Sequence, residues 1–585
     1  MKLVRSLSMF LSLLLTVSAA LAVPAHFANP VFYNSGGKGT NFVIAADVNL
    51  DGFPDMIVAN SDGVSVLLNN GDGTFAPAVT YGTGGDIAFA VAAADLNGDG
   101  IPDLVVTNMC SSAPGCTNGG VGVLFGNGDG TFQTAVSYSV GGIETQAVVI
   151  GDFNSDGWPD LVVTSNCQIY TCVDGSIYLV LNNGDGTFKA PVSIGPSMGG
   201  PLAVGDLNGD GNLDLVADVG VLLGNGDGTF TSLGSVTGPG GVGYVPGGSI
   251  SIALADVNGD GKLDVVVADQ VSVKVQLGIG DGTLQLPVSF KPGGGRPLSV
   301  AAADINGDSK LDLLVANECT SLNKGACVIP GSVSVLVGNG DGTFQLPVKY
   351  PSVGRTTTSI AVMDANQDTR PDILVSNACY SSANCTHGSV GVLLNVFTAA
   401  VTVSLVSDTN PSILNQPVNF TANLTSVIPV PDGSPVNFFD GATLIGSGST
   451  TSGVATLNTS FTTNGIHTIK AGFPGDTWHT GGSATLSQTV HRYPTTTTLT
   501  SSPNPSIFKH KVTLTATVSP SGPSAPTGTV TFKIGNGVLG TVALSGGTAT
   551  LSTPNLPRGT LNLTANYNGD SQSGLSTGAT SQVVQ

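Results

Sequence analysis

The sequence predicts an all-β chain, a seven-bladed β-propeller followed by two β-sandwiches. Three observations carry this. An aspartate-rich loop recurs seven times in the first two thirds of the chain. Each copy sits in a unit of about fifty residues with room for four short strands, the size of a propeller blade. From about residue 398 the aspartate loops stop, and Ser/Thr-rich alternating segments repeat at an offset of 94 residues.

Composition agrees with this class. The 585 residues are too many for one core. Gly (81) and Pro (33) are abundant and only 10% of residues are charged, a mix that favours strands and tight turns over helices. Apolar alternation along the whole chain excludes disorder. A basic patch for nucleic acid is absent. Residues 1–22 read as a secretory signal peptide: Lys2 and Arg5, then the apolar run Leu7 to Val17, then the small-x-small site Ala20-Leu21-Ala22. No later stretch has the length and apolarity of a membrane span, so a secreted or surface-attached protein is expected.

The propeller is expected over residues 24–397. In each unit an apolar run such as FAVAAAD precedes the loop, a second run (LVVTN) follows it, and an alternating strand (VGVLFGN) comes third. The turn NGDGT then leads into a fourth strand. Asn-Gly and Asp-Gly tolerate the positive φ of tight hairpins, and the turn begins at Asn70, Asn127, Asn183, Asn225 and Asn339, and as IGDGT at Ile279. The seventh unit has neither the turn nor a fourth strand. FANPVFYN, Phe27 to Asn34, resembles the fourth-strand segments FAPAVTYG and FQLPVKYP, so it is expected to complete blade seven and close the ring, removing the open edges.

The loops carry the chemistry. In the first, Asp47, Asn49, Asp51 and Asp55 hold positions 1, 3, 5 and 9. The next two place Asp95, Asn97, Asp99 and Asp103, then Asp152, Asn154, Asp156 and Asp160, at the same positions. Loops four and five use Asp206, Asn208, Asp210 and Asp214, then Asp256, Asn258, Asp260 and Asp264. Loops six and seven use Asp304, Asn306, Asp308 and Asp312, then Asp364, Asn366, Asp368 and Asp372. Three carboxylates within nine residues repel one another unless a cation sits among them. Calcium takes oxygen ligands at odd positions of such a loop, with a backbone carbonyl at position 7. An EF-hand would end in Glu at position 12 and enter a helix; here position 9 is Asp and a strand follows. Up to seven Ca²⁺ are therefore expected. In loops six and seven Ser309 and Thr369 replace the glycine of position 6, which predicts weaker or absent binding there. Seven bound Ca²⁺ would take the net charge from −20 to −6, so most of the acidity is ligand charge rather than an acidic surface for a partner.

These repeats resemble the FG-GAP or VCBS family, which includes the propeller of integrin α-subunits. The resemblance covers about 370 residues and implies the same fold and the same calcium ligands at positions 1, 3, 5 and 9.

All eight cysteines lie in the propeller. Cys110, Cys167, Cys319 and Cys379 each follow a position-9 aspartate by seven residues; Cys116, Cys172, Cys327 and Cys385 come five to eight residues later. The repeat phase selects four pairings within blades, Cys110–Cys116, Cys167–Cys172, Cys319–Cys327 and Cys379–Cys385, each stiffening the loop between second and third strands. Residues 399–492 and 493–585 are expected to be two sandwiches. NPSILNQPVNFTANL matches NPSIFKHKVTLTATV, and FPGD matches YNGD. These look like bacterial Ig-like domains, without core cysteines, whose expected role is as spacers.

A binding or adhesion function, toward an extracellular protein or glycan, follows as the leading expectation. The aspartate loops and NGDG turns share one face. The opposite face carries the cysteine loops and Gly-rich connections that differ from blade to blade. Asp86, Glu144, Tyr244, Arg296 and Arg355 are the candidate binding side chains there. The alternative is a polysaccharide lyase or hydrolase, but the propeller has only His26 and His387, the chain has only Glu144 and Glu318, and no nucleophilic or zinc grouping is present.

Overall fold

In the computed structural model, the described residues are 26–110, 119–166, 175–197, 199–218, 220–233, 251–269, 271–323, 326–328, 330–352, 354–379 and 387–585. The expected signal peptide lies outside them. Among them the chain is all strand and turn, and no helix is long and apolar enough to cross a membrane. The chain divides into two units, 1–397 and 398–585.

The first unit holds seven four-stranded antiparallel sheets. Blade one joins Thr40–Ala46, Asp55–Asn60, Gly63–Leu67 and Val79–Tyr81 in that order. Five further blades repeat the order, and every second strand starts at a position-9 aspartate. Blade seven joins Arg355–Met363, Asp372–Cys379 and Ser389–Leu393, and its outer strand is Val31–Asn34, antiparallel to Ser389–Leu393. The N-terminal segment thus completes the last blade.

Alternation explains the packing. In the second strand of blade one, Ile57 and Ala59 face blade two while Met56 and Val58 face blade seven. Both faces of the inner strands are covered, so they are apolar throughout. One core cluster fills each of the seven junctions, including the junction between blades seven and one, where Val43, Met56 and Val58 meet Met363, Leu374 and Val392. The ring is closed. Aromatic pairs mark five junctions. Tyr33, Tyr81, Tyr138, Phe290 and Tyr350 of the outer strands meet Phe75, Phe132, Phe188, Phe344 and Phe27 of the next blade edge to face, with centroids 4.9–5.6 Å apart.

The second unit contains two sandwiches built to one plan. Strands 402–407, 418–425 and 454–459 form one sheet of the first, and 495–502, 512–520 and 548–553 the matching sheet of the second. Core positions keep the 94-residue offset: Val418 and Val512, Phe438 and Phe532, Ile469 and Leu563, Phe473 and Tyr567. The repeated Asn of NPSI has one task in both. Asn410 and Asn504 donate to Ser487 O and Ser581 O at 2.7 Å, and each accepts from the backbone two residues further on.

Candidate functional site

Each aspartate loop is organised by its own side chains. In loop two, Asp95 accepts the N–H groups of Gly98 (2.7 Å), Asp99 (3.1 Å) and Gly100 (2.8 Å). Asn97 Oδ1 accepts Asp99 N–H at 2.9 Å, and Asp99 accepts Ile101 N–H at 2.9 Å. These short-range bonds are what Asp and Asn offer a turning backbone. Positions 4 and 6 are left-handed in all seven loops. Glycine fills most of them, but Leu50, Ser155 and Gln367 stand at position 4 and Ser309 and Thr369 at position 6, with φ between 55° and 65°. Loops six and seven therefore keep the shared shape without the glycine.

Position 9 does something the spacing did not foretell. Its carboxylate is buried in every blade. One oxygen accepts the N–H of loop position 2, as Asp103 does from Leu96 at 3.0 Å. The other accepts the N–H at the end of the third strand, as from Gly126 at 2.8 Å. The same two bonds recur at Asp55, Asp160, Asp214, Asp264, Asp312 and Asp372. Burial drives these carboxyls upward, the two N–H bonds oppose it, and the carboxylates at positions 5 and 1 push further up. Asp55, Asp103 and Asp160 reach about 6, and Asp312 and Asp372 about 7. Asp214 and Asp264 move the same way.

Calcium can be weighed against this geometry. Positions 1, 3 and 5 place two carboxylates and an amide oxygen in one turn, all hard oxygen donors of the kind calcium takes. The position-9 carboxylate is tied into the blade, and among the described residues no three His, Cys, Asp or Glu side chains are grouped to hold a metal. The donor chemistry at positions 1, 3 and 5 fits the ion, and the position-9 carboxylate ties the loop to its blade through two backbone N–H groups.

The NGDG turns dock on the loop of the preceding blade. Gly73 N–H donates to Ala365 O (3.1 Å) and Gly228 N–H to Phe153 O (3.0 Å), both at loop position 2. Asn69, Asn182 and Asn395 reach the same carbonyl position with their side-chain amides, on Ala365, Leu96 and Ile305, at 2.7–3.0 Å. These latches and the aromatic pairs were missed in the sequence. The recurring Phe and Tyr of the fourth-strand segments were the available signal.

At the other end of the blades lie Cys110, Cys319 and Cys379 with the candidate binding residues Asp86, Glu144, Arg296 and Arg355. Asp86 is in register with Cys110, Arg355 with Cys379, and Gly295, beside Arg296, with Cys319. In blades one, two, three, six and seven the first strand has a β-bulge near its start, at or just after a left-handed residue: Gly39, Ile87, Glu144, Arg296 and Thr356. Asp86 and Arg296 are exposed, and Glu144 and Arg355 half-buried. Arg296 pairs with Glu318 at 3.2 Å, and Glu144 accepts from Asn166 at 3.5 Å. Tyr244, Cys116, Cys167, Cys172 and Cys385 lie outside the described residues. No described cysteine is free. The blade-six cysteine loop is a hairpin, Ser321–Asn323 against Ala326–Val328, closed by Thr320 N–H on Pro330 O.

Comparison with protein families matches FG-GAP-like repeats at residues 47–106, 112–163, 168–217, 217–267 and 256–315, and bacterial Ig-like domains (group 3) at 405–491 and 499–585. The seventh loop, at Asp364, lies beyond the matched repeats. No curated protein matches the chain. Among solved structures the chain is similar to an Agrocybe aegerita protein whose structure concerns specific recognition of non-reducing terminal N-acetylglucosamine. That match has 22% identity and a TM-score of 0.39, over 56% of this chain and 90% of that one. It is also similar to the extracellular domain of the putative one component system BT4673 from B. thetaiotaomicron, at 11% identity and a TM-score of 0.36, over 80% of this chain and 58% of that one. A third match is to fibronectin(III)-like modules of Clostridium thermocellum CbhA, at 19% identity and a TM-score of 0.16, over 31% of this chain and 95% of that one. The chain thus joins FG-GAP-like repeats, folded as a seven-bladed propeller, to two bacterial Ig-like domains of group 3, an architecture that fits an extracellular recognition or adhesion protein.

Proposed function

We propose that this is a secreted or surface-held, calcium-stabilised recognition protein that binds an extracellular protein or glycan, with the two Ig-like domains as spacers. The observation that carries this reading is the division of labour between the two ends of the blades. One end repeats a single hydrogen-bonded loop seven times, a shared structural task. There the carboxylates and amides of positions 1, 3 and 5, with the position-7 carbonyl, would hold calcium, which neutralises the clustered charge. The other end varies in loop length and charge from blade to blade, as recognition loops on a constant scaffold do. Asp86, Glu144, Arg296 and Arg355, with Tyr244, are the side chains assigned to recognition.

The four cysteine pairings within blades belong to the same proposal. The disulfide-bonded state of Cys110, Cys319 and Cys379 supports them. Stiff loops lose less entropy on docking, and an oxidising extracellular compartment lets such bonds persist. The test is capture on a glycan and protein array by the full chain, with calcium and with chelator, beside Arg296→Ala and Arg355→Ala. The reading expects calcium-dependent capture that both substitutions weaken without lowering the melting temperature. Normal capture by both variants, with capture lost on deleting the Ig-like domains, would move recognition to the sandwiches.

A further inference from the structure

Loop seven differs from the other six in the side chain at position 7. In blades one to six that side chain lies against the first glycine of the blade's own NGDG-type turn. A Cβ on Gly71 would come within 2.6 Å of the Phe53 ring, one on Gly184 within 2.7 Å of Trp158, and one on Gly340 within 3.1 Å of Lys310. Ile101, Asn212 and Lys262 lie against Gly128, Gly226 and Gly280 in the same way. Blade seven has no such turn, and its position 7 is Arg370. The guanidinium folds back on its own loop instead. Its NH2 nitrogen stands 2.6 Å from Asp368 Oδ2, its Nε 3.1 Å from the same oxygen, and its NH1 donates to Phe397 O at 3.2 Å. Both side chains of the pair are largely buried. Among the described residues, no other position-1 or position-5 aspartate is in a salt bridge.

We propose that Arg370 is the resident cation of loop seven, replacing calcium there, so that the ring-closing blade is calcium-independent. The inference rests on the calcium reading of the other loops. Two features of the site favour it. A guanidinium carries its positive charge at any pH the protein meets and bonds a carboxylate through two nitrogens, so it neutralises Asp368 as a bound cation would. It also shares the position-5 oxygen with the amide of position 3, Asn366 (3.1 Å), whereas in loops one and three the same amide meets that oxygen with no cationic side chain beside it. The same side chain binds the carbonyl of the last residue of the propeller unit. The blade assembled from both ends of that unit is thereby fastened by covalently attached charge, which cannot dissociate when calcium is low.

Calcium content of the full chain, measured by native mass spectrometry after equilibration and desalting, tests this. Asp99→Asn is expected to lose one ion per chain, and Asp368→Asn none. Thr369→Gly with Arg370→Asn, which keeps both carboxylates and copies the Gly-Asn of loop four, is expected to gain one. If Asp99→Asn and Asp368→Asn each lose one ion, loop seven holds calcium and the inference is overturned. If the double variant gains none, Arg370 is not what excludes the ion, and the inference again falls. If Asp99→Asn loses nothing, the calcium reading itself fails and takes the inference with it. Melting supplies a second readout should Asp368→Asn not fold. Arg370→Gln is expected to lower the propeller transition in chelator, where no calcium can take its place, and a loss seen only in calcium would contradict the proposal.

Discussion

The propeller spreads its apolar burial over seven thin cores between blades, whereas each sandwich concentrates its burial in one core between two sheets. The rim hardware differs accordingly. Blade ends are held by ionisable groups, with a buried carboxylate in every loop taking two backbone N–H bonds. The equivalent buried anchor of each sandwich is a neutral amide, Gln488 or Gln582, which donates to Ser412 or Ser506 at 3.0–3.1 Å. A thin core leaves more of the stability to the loops, and loops built from carboxylates need a counter-charge. The propeller should therefore respond to calcium, and the sandwiches should respond to aromatic truncation.

The largest expected effect follows directly. At calcium a hundredfold above the dissociation constant, each occupied loop adds about 2.7 kcal/mol. In calorimetry of the full chain, chelator should move the propeller transition down strongly and leave the sandwich transitions in place. An unmoved propeller transition would remove the calcium assignment. Next in size is Phe532→Ala, which empties the middle of a single core. The second sandwich should lose about 3–5 kcal/mol, read as a shift of its own transition with the propeller unchanged. A loss spread over both units would break the contrast.

The anchoring carboxylate comes third. Asp103→Ala leaves Leu96 N–H and Gly126 N–H buried without an acceptor, offset in part by removal of a buried charge. The net cost should be about 1–3 kcal/mol. Denaturation in chelator separates this from metal binding, and equal stability of variant and parent there would deny position 9 its structural role. Acid should discriminate the units as well. Burial alone would raise Asp570, but the N–H groups of Thr527, Ser573 and Gln572 and the Tyr567 hydroxyl outweigh it and hold the carboxyl far below its usual range. A depressed carboxyl contributes stability above its unfolded value of about 3.9, and that stability is lost as pH falls through the folded value. The second sandwich should accordingly lose stability below about pH 4, and Asp570→Asn should flatten that dependence.

Much of the propeller was legible because its signals are periodic. Seven loops and a missing fourth strand forced Phe27–Asn34 into blade seven, where Val31 pairs with Val392. The sandwich pairing was legible from the 94-residue offset, since both copies of NPSI hold the same last strand. What escaped was chemistry that depends on neighbours distant in sequence. The loop alone shows Asp103 as one carboxylate of the set but not as an acceptor of two backbone N–H groups, because Gly126, the second donor, lies 23 residues on. Asn182 directly precedes the turn that begins at Asn183, and its amide reaches Leu96 in the preceding blade. Arg370 carries no signal within its own loop, because its role depends on a turn that blade seven lacks. At position 6, Ser309 and Thr369 adopt the left-handed conformation of the glycine they replace, at φ 64° and 65°.

The smallest effect sharpens that last point. Leu50, at position 4 of loop one, is left-handed with φ 60° and more than half exposed, where loops two, four, five and six have glycine. A side chain in this conformation costs about 1–2 kcal/mol. Glycine removes that cost but loses about 0.5–1 kcal/mol more backbone entropy on folding. Leu50→Gly should therefore raise propeller stability by about 0.5–1 kcal/mol while leaving the sandwich transitions where they are. The gain should appear in chelator as well as in calcium, because it comes from the backbone and not from the ligand oxygens of Asp47, Asn49 and Asp51. A gain confined to calcium would mean that Leu50 distorts the donor set. A loss in both conditions would mean that the leucine side chain packs on its blade strongly enough to outweigh the strain.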